Sequence, residues 1–334
     1  MCTLSKTRLR RAAAGLAVTI LGAGLLTACG ATSGSSSAGK ANSSVSAVGS
    51  KGQTTIGFLY KLPNPYFNAM TAAVKQWAAQ NNVHLLVGGG QTPTDVSGQI
   101  SAIQTMISDG AKALVVSPQG PQLIPTLNRA VSQHIPVVLV NEPLPGWSGQ
   151  TSYVGTDNYK GAVLAGQYIR SHLKSGDKIA IGSGVPGVTA LNQRVQGVVD
   201  ALKGSGISIV AQLPTQCVED TGVSVTQDIL TAHPNIQAIY YACSPPVFGA
   251  LQVLSQHNLT NKLMIVGFDG DPQEYKDIKA GQETATVAQF PRKMGIISLQ
   301  LALKTVAGKP VPKQVDSGQQ VVSKTNVSQF NGWG

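Results

Sequence analysis

Charge is scarce in this chain: Asp, Glu, Lys and Arg make up only 12% of its 334 residues. Uncharged polar side chains and 37 glycines fill the difference, and 42% hydrophobic content excludes a disordered chain. The formal charge is +10, but four of the 25 basic residues (Lys6, Arg8, Arg10 and Arg11) precede Cys29 and no acid does, so the chain from Cys29 on carries +6. No basic run follows position 11, which argues against the clustered stripe of a nucleic-acid binder. Catalytic motifs are missing as well: there is no G-x-S-x-G, no Walker sequence and no H-E-x-x-H. The five histidines, His84, His134, His172, His233 and His257, are scattered near predicted helix ends and turns, where surface or capping roles are expected. With no base, nucleophile and orienter grouped together, neither an enzyme nor a metal or cofactor site is expected. No solenoid repeat occurs, and past the N-terminus no segment is long and apolar enough to span a bilayer. The length fits about two domains of roughly 150 residues each.

The N-terminus carries an address. Lys6 to Arg11 is a positive segment, and Ala12 to Ala28 is an apolar run of 17 residues ending in small side chains. That pattern is a secretory signal and is short for a permanent span. Its end, Leu26-Thr27-Ala28-Cys29, resembles the bacterial lipobox, which implies cleavage before Cys29 and acylation of its thiol. Residues 1–28 are therefore expected to be a lipoprotein signal peptide. Residues 29–50 are expected to be a Ser/Gly-rich tether, since Ala31 to Ser50 holds eight serines and three glycines. As a flexible coil it would reach about 25 Å. The expected location is the outer face of the cytoplasmic membrane, held there by lipid.

From Thr54 on, short apolar runs alternate with helical periodicity. Strands are expected at Thr54–Tyr60, His84–Val87, Ala113–Val116 and Val137–Val140, with helices at Tyr66–Asn82, Asp95–Asp109 and Gln122–Gln133 between them. Asp95 and Asp157 stand where helix N-caps are expected. After Tyr153–Gly155 a second array follows: helix Asn158–Lys174, strand Lys178–Ile181, helix Thr189–Lys203, strand Ser208–Gln212, helix Val223–Ala232, strand Ala238–Tyr241, helix Val247–Gln256 and strand Leu263–Gly267. A helix at Lys293–Ala307 and a strand near Gln314–Val322 remain. Strands that are apolar throughout suit parallel sheets covered on both faces. The fold class is thus α/β: two doubly wound, Rossmann-like parallel-sheet lobes joined by a multi-stranded hinge, with a cleft between their strand-end loops. The expected division is 51–154 plus about 290–320 for the first lobe, 155–289 for the second, and 321–334 as a tail that could cross the hinge.

The segment Gly182-Ser183-Gly184-Val185-Pro186-Gly187 matches a dinucleotide fingerprint literally. No acid ends the next strand to hold a ribose, and Pro186 stiffens a loop that would have to hug a pyrophosphate. These glycines are read instead as shaping a pocket loop ahead of Arg194.

The loops after the strands carry a resemblance. They read Asn64-Pro65-Tyr66-Phe67, Asn141-Glu142, Ala190-Leu-Asn-Gln-Arg194-Val-Gln-Gly, Thr231-Ala-His-Pro-Asn-Ile, Val266-Gly-Phe-Asp269-Gly-Asp-Pro and Thr286-Val-Ala-Gln289-Phe-Pro. In order and spacing this set resembles the ribose-binding branch of the type I periplasmic sugar-binding proteins of ABC transporters, from about Thr54 to about Val322. The resemblance implies that Asn64 and Gln289 bond ligand hydroxyls, that Tyr66 and Phe67 pack on its faces, that Arg194 donates and that Asp269 accepts. Those groups suit a polyhydroxy ligand on chemical grounds as well. Taken singly, Asp269 could be a helix N-cap, Tyr66 and Phe67 plain core, and Arg194 a solvated helix residue.

The chain also departs from that family. Asn141-Glu142 stand where an aspartate–arginine pair is usual, and Glu142 while ionised can accept but not donate. Cys217 and Cys243 align with an aromatic and an asparagine, which puts ribose itself in doubt. These two cysteines follow neighbouring predicted strands, whose spacing of ~4.7–4.9 Å a disulfide tolerates, and in an oxidising compartment they are expected to be bridged. The expected function is capture of a monosaccharide or sugar alcohol by hinge closure, by a monomer that hands it to an ABC-type permease. The alternative is a sensory receptor presenting a sugar-like signal to a membrane kinase.

Overall fold

The computed structural model describes residues 45–333 except Pro93. The expected signal peptide, the lipidation position Cys29 and most of the expected tether lie outside the described residues.

Lobe one is built on a sheet whose strands are β1 (Ser46–Val48), β2 (Thr54–Tyr60), β3 (Val83–Gly89), β4 (Ala113–Val116), β5 (Val137–Val140), β6 (Ser152–Gly155) and β12 (Gln314–Asp316), ordered β1-β3-β2-β4-β5-β6-β12. All neighbours pair parallel except β1, which runs antiparallel to β3 at the edge. The four residues of β5 are buried throughout, as a two-sided cover requires. Helices α1 (Pro65–Gln80) and α9 (Pro291–Val306) cover one face, with Phe67, Met70, Val74, Met294 and Leu299 in its core. Helices α2 (Val96–Ser108) and α3 (Ile124–Ser132) cover the other, through Ile103, Met106 and Leu127.

Lobe two repeats the plan. Its sheet is ordered β13-β11-β10-β9-β7-β8, from β7 (Lys178–Gly182), β8 (Ser208–Leu213), β9 (Ala238–Tyr241), β10 (Met264–Asp269), β11 (Ala285–Gln289) and β13 (Gln319–Ser323). Only β13 is antiparallel. Helices α4 (Asn158–His172) and α5 (Thr189–Leu202) lie on one face, and α6 (Glu219–Ala232) and α7 (Ser244–Gln256) on the other. α4 and α5 meet closely because Gly197 has no Cβ; one there would run into the carbonyl oxygen of Tyr159. In each lobe the winding direction reverses between the first and third parallel strands, so both switch points place strand-end loops at the cleft.

The two-lobe α/β reading holds, and Asp95 and Asp157 cap α2 and α4 through their side chains. Several details differ. The stretch expected as tether up to residue 50 contains β1, whose pairing to Val87, Leu86 and Leu85 brings Ser46–Val48 into the folded unit. The single strand expected near Gln314–Val322 is two. β12 belongs to lobe one and β13 to lobe two, and the chain crosses between them at Gly318, whose φ of +93° glycine tolerates. With the passages from β6 to α4 and from β11 to α9, this makes three backbone crossings. β11 was not anticipated as an element, and α8 (Pro272–Ala280) only as a helix that Asp269 could cap. Nor is every histidine peripheral: His84 is buried on β3, bonded to the Gly49 carbonyl at 3.2 Å beside the added edge strand.

Candidate functional site

All but one of the residues singled out for ligand contact lie at or just past the carboxyl end of a parallel strand, the exception being Arg194. Asn64, Tyr66 and Phe67 follow β2, and Asn141 and Glu142 follow β5. Arg194 sits on the helix after β7; Asp269 and Gln289 end β10 and β11. The chain is strained where two of them sit: Asn141 has φ +66° and Asp269 φ +118°. A left-handed Asn is tolerated, but Asp at +118° costs about 1–3 kcal/mol, which its surroundings must offset.

Those surroundings are a network within lobe two. Arg194 is 7% exposed, so it is no solvated helix residue. Its Nε donates to Asn158 Oδ1 (2.9 Å) and its Nη1 to the Ala242 carbonyl (2.8 Å) and to Asp269 Oδ1 (2.7 Å). The guanidinium lies 3.9 Å from the centre of the Phe268 ring, a favourable stack for a weakly hydrated cation. Gln289 donates to the same Asp269 oxygen at 2.7 Å, and the Ser244 backbone N–H donates to the other at 3.3 Å. Asp269 does not cap the next helix. Asp271 does so, in a capping box with Glu274. Among the described residues, Arg194 Nη2 and Gln289 Oε1 make no hydrogen bond to protein, which leaves them free to pair with a guest.

Lobe one offers a second set. Asn64 caps α1 by accepting from the Phe67 N–H at 2.9 Å, so one of its groups is committed to the helix. Phe67 is 4% exposed and packs in the lobe core, edge-on to Tyr66 at 5.3 Å. The Tyr66 hydroxyl donates to Asn141 Oδ1 (2.9 Å). Burial, and then the negative charge of Asp269, hold that phenol well above its usual range, while Arg194 opposes the shift. Asp269 and Arg194 of lobe two are thus near enough to act electrostatically on Tyr66 of lobe one. Glu142 pairs with Lys61 at 3.0 Å, both side chains about a quarter exposed.

Cys217 and Cys243 are bridged, with Cα atoms 5.9 Å apart. Within Gly182–Gly187, Gly184 lies against this bridge: it has φ +78°, and a Cβ there would approach Cys217 Sγ at 3.2 Å and Leu191 at 2.9 Å. Four contributors were not singled out from sequence: Asn158, which steers Arg194; Ser244; Lys61; and Tyr153, whose hydroxyl bonds the Asn141 carbonyl at 3.0 Å. Asn158 is the first residue of α4 and Ser244 the first of α7, so strand-end position was a usable signal for both. Among the described residues no cluster of side chains could hold a metal ion, and no helix is long and apolar enough to cross a membrane.

A family model described as a periplasmic binding protein domain matches residues 56–310. The chain belongs to the periplasmic binding protein family. Among its relatives is the D-ribose/D-allose-binding protein of Pseudomonas aeruginosa, 29% identical over 263 residues, covering 76% of this chain and 82% of that one. Another is the ribose import binding protein of Bacillus subtilis, 28% identical, covering 80% of this chain and 87% of that one. Among solved structures, an ABC transporter solute-binding protein of Mycobacterium smegmatis with bound glycerol is 30% identical with a TM-score of 0.73, covering 83% of this chain and 96% of that one. One from Actinobacillus succinogenes with bound D-allose is 26% identical with a TM-score of 0.78, covering 83% of this chain and all of that one. The fold is that of the type I periplasmic binding proteins, two α/β lobes about a hinge.

Proposed function

We propose that this protein captures a small polyhydroxy ligand, a monosaccharide or sugar alcohol, by closing its lobes around it, and delivers it to an ABC-type importer. What supports this reading is the Arg194–Asp269–Gln289 network at the strand ends of lobe two, together with Tyr66, Asn141 and Glu142 at those of lobe one, near enough for Asp269 and Arg194 to act on the Tyr66 phenol. A polyol needs donors and acceptors for every hydroxyl and an apolar surface for its C–H faces. Arg194 Nη2 donates, Gln289 Oε1 and Glu142 accept, Asn64 contributes its amide, and the Tyr66 ring, backed by Phe67, supplies the surface. Lys61 returns a cationic donor to the Asn141-Glu142 corner, where the resemblance leads one to expect an arginine. Closure follows from differential contact, because a guest touching both sets stabilises the shut form over the open one.

The relatives are named as import binding proteins and transporter solute-binding proteins, which favours import over presentation to a kinase. The protein acts as a monomer and carries out no chemistry on its ligand. The lipobox-like Leu26-Thr27-Ala28-Cys29 supports a chain held by lipid at Cys29 on the outer face of the membrane.

A thermal-shift panel of D-ribose, D-allose, D-arabinose, myo-inositol, glycerol and xylitol tests the reading. A true ligand at about a hundred times its Kd raises Tm by roughly 5 °C, since it adds about 2.7 kcal/mol to the folded state. Arg194→Ala and Asp269→Ala should abolish that rise. A panel without a shift refutes the ligand class, and a shift retained in both variants refutes the site.

A further inference from the structure

The chain does not stop where lobe two is complete. After β13, Val327 is buried with Tyr275, Ile278 and Val322, and the Phe330 ring packs on Tyr275 at 5.6 Å. Three residues later the chain has left that surface. Gly332, at φ +68°, turns it, and Trp333 meets the ring of Tyr66 edge to face, 5.3 Å away at 85°. Tyr66 belongs to α1 of lobe one. The tail is therefore fastened to lobe two by Phe330 and to lobe one by Trp333, separately from the three backbone crossings. Trp333 is only 8% exposed.

We infer that Trp333 is a wall of the ligand cleft, a latch that lobe two's tail lays over Tyr66 and that offers an indole face to the C–H side of the guest. This rests on the function proposed above. The strand-end loops after β8 and β9 carry the Cys217–Cys243 disulfide and no aromatic side chain. The tail supplies lobe two's ring from another direction, onto the aromatic side chain whose hydroxyl is tied to Asn141. An indole and a phenol meeting edge to face leave ring surface for a ligand with both hydroxyls and carbon-bound hydrogens, so the wall selects for neutral cyclic sugars and polyols over small charged solutes.

The test uses the mature chain and the variants W333F, W333A and Y66A, each checked for an unchanged far-ultraviolet spectrum. The first readout needs no ligand. The emission of wild type less that of W333F isolates Trp333 from Trp77 and Trp147, and acrylamide quenching of this signal should be weak and rise about threefold in Y66A. A freely quenched Trp333 that ignores Y66A overturns the latch. The second readout is calorimetric titration with D-allose and myo-inositol. W333A should weaken binding about tenfold, while W333F should stay within about threefold of wild type, since one aromatic contact is lost in the former and kept in the latter. Unchanged binding in W333A overturns the inference and leaves the proposed function standing. Tighter binding in W333A also overturns it, because the indole would then be a plug. If wild type binds neither compound, the ligand class is at fault, and the quenching arm alone decides the latch.

Discussion

The pair Arg194–Asp269 allows a quantitative test through a double-mutant cycle with Arg194→Met, Asp269→Asn and both together. The two side chains are 8% and 20% exposed and meet at 2.7 Å. Breaking a fully buried ion pair costs about 3–5 kcal/mol, most of it the penalty of the charge left behind. Here the penalty is smaller. Without Asp269, the guanidinium keeps Asn158, the Ala242 carbonyl and the Phe268 ring. Without Arg194, the carboxylate keeps the Gln289 amide and the Ser244 N–H and some access to water. Each single change should therefore cost about 2–3 kcal/mol, in line with a hydrogen bond to a charged group plus partial burial. The double variant should cost little more than the worse single one, which gives a coupling energy of about 2 kcal/mol. Urea denaturation monitored on the ligand-free protein measures all four corners. Effects that add within about 0.5 kcal/mol would mean the two groups are independent and would refute the network as a unit.

Two further perturbations follow from lobe two. Glu274 is fully buried, and desolvation pushes its carboxyl up to about 8 from an ordinary 4.5; Glu283, also buried, is pushed up well above its ordinary range by the same cause. A folded state that keeps protons the unfolded chain releases is at full strength below pH 4.5 and loses stability as pH rises towards and through 8. Tm measured from pH 5 to 9 should fall across that window, and Glu274→Gln should flatten the fall; a wild-type profile that is level there contradicts the burial argument. The Cys217–Cys243 bridge closes a loop with a sequence separation of 26, for which chain entropy gives about 3.5 kcal/mol. Cys217→Ala with Cys243→Ala should lower Tm by roughly 5–10 °C, and the unreduced wild type should show no thiol that alkylates at these two positions.

The alternation of lobes was legible because parallel strands buried on both faces leave unbroken apolar runs such as Val137–Val140. The unanticipated elements lack that signal. β1 is Ser-Ala-Val in a serine-rich stretch and exists through its backbone pairing to β3, which side-chain patterning does not report. α8 reads Pro-Gln-Glu-Tyr-Lys-Asp-Ile-Lys-Ala, too polar for an apolar stripe, although its start is written in the Asp271–Glu274 capping box. Site positions could be read because strand ends recur in order along the chain. Their partners could not, since Asn158 to Arg194 and Lys61 to Glu142 are 36 and 81 residues apart and meet only once the sheets form.

The route of the chain through the two sheets has a consequence for biosynthesis. Lobe one holds its opening strand at residue 46 but waits for α9, with Met294 and Leu299 in its core, and for β12 at residue 314. Lobe two waits for β13, which ends at residue 323. An N-terminal domain that folds before the rest of the chain is made would here lack α9 and β12. The two halves are interleaved along the polypeptide, and neither has its full sheet before β12 and β13 have been made.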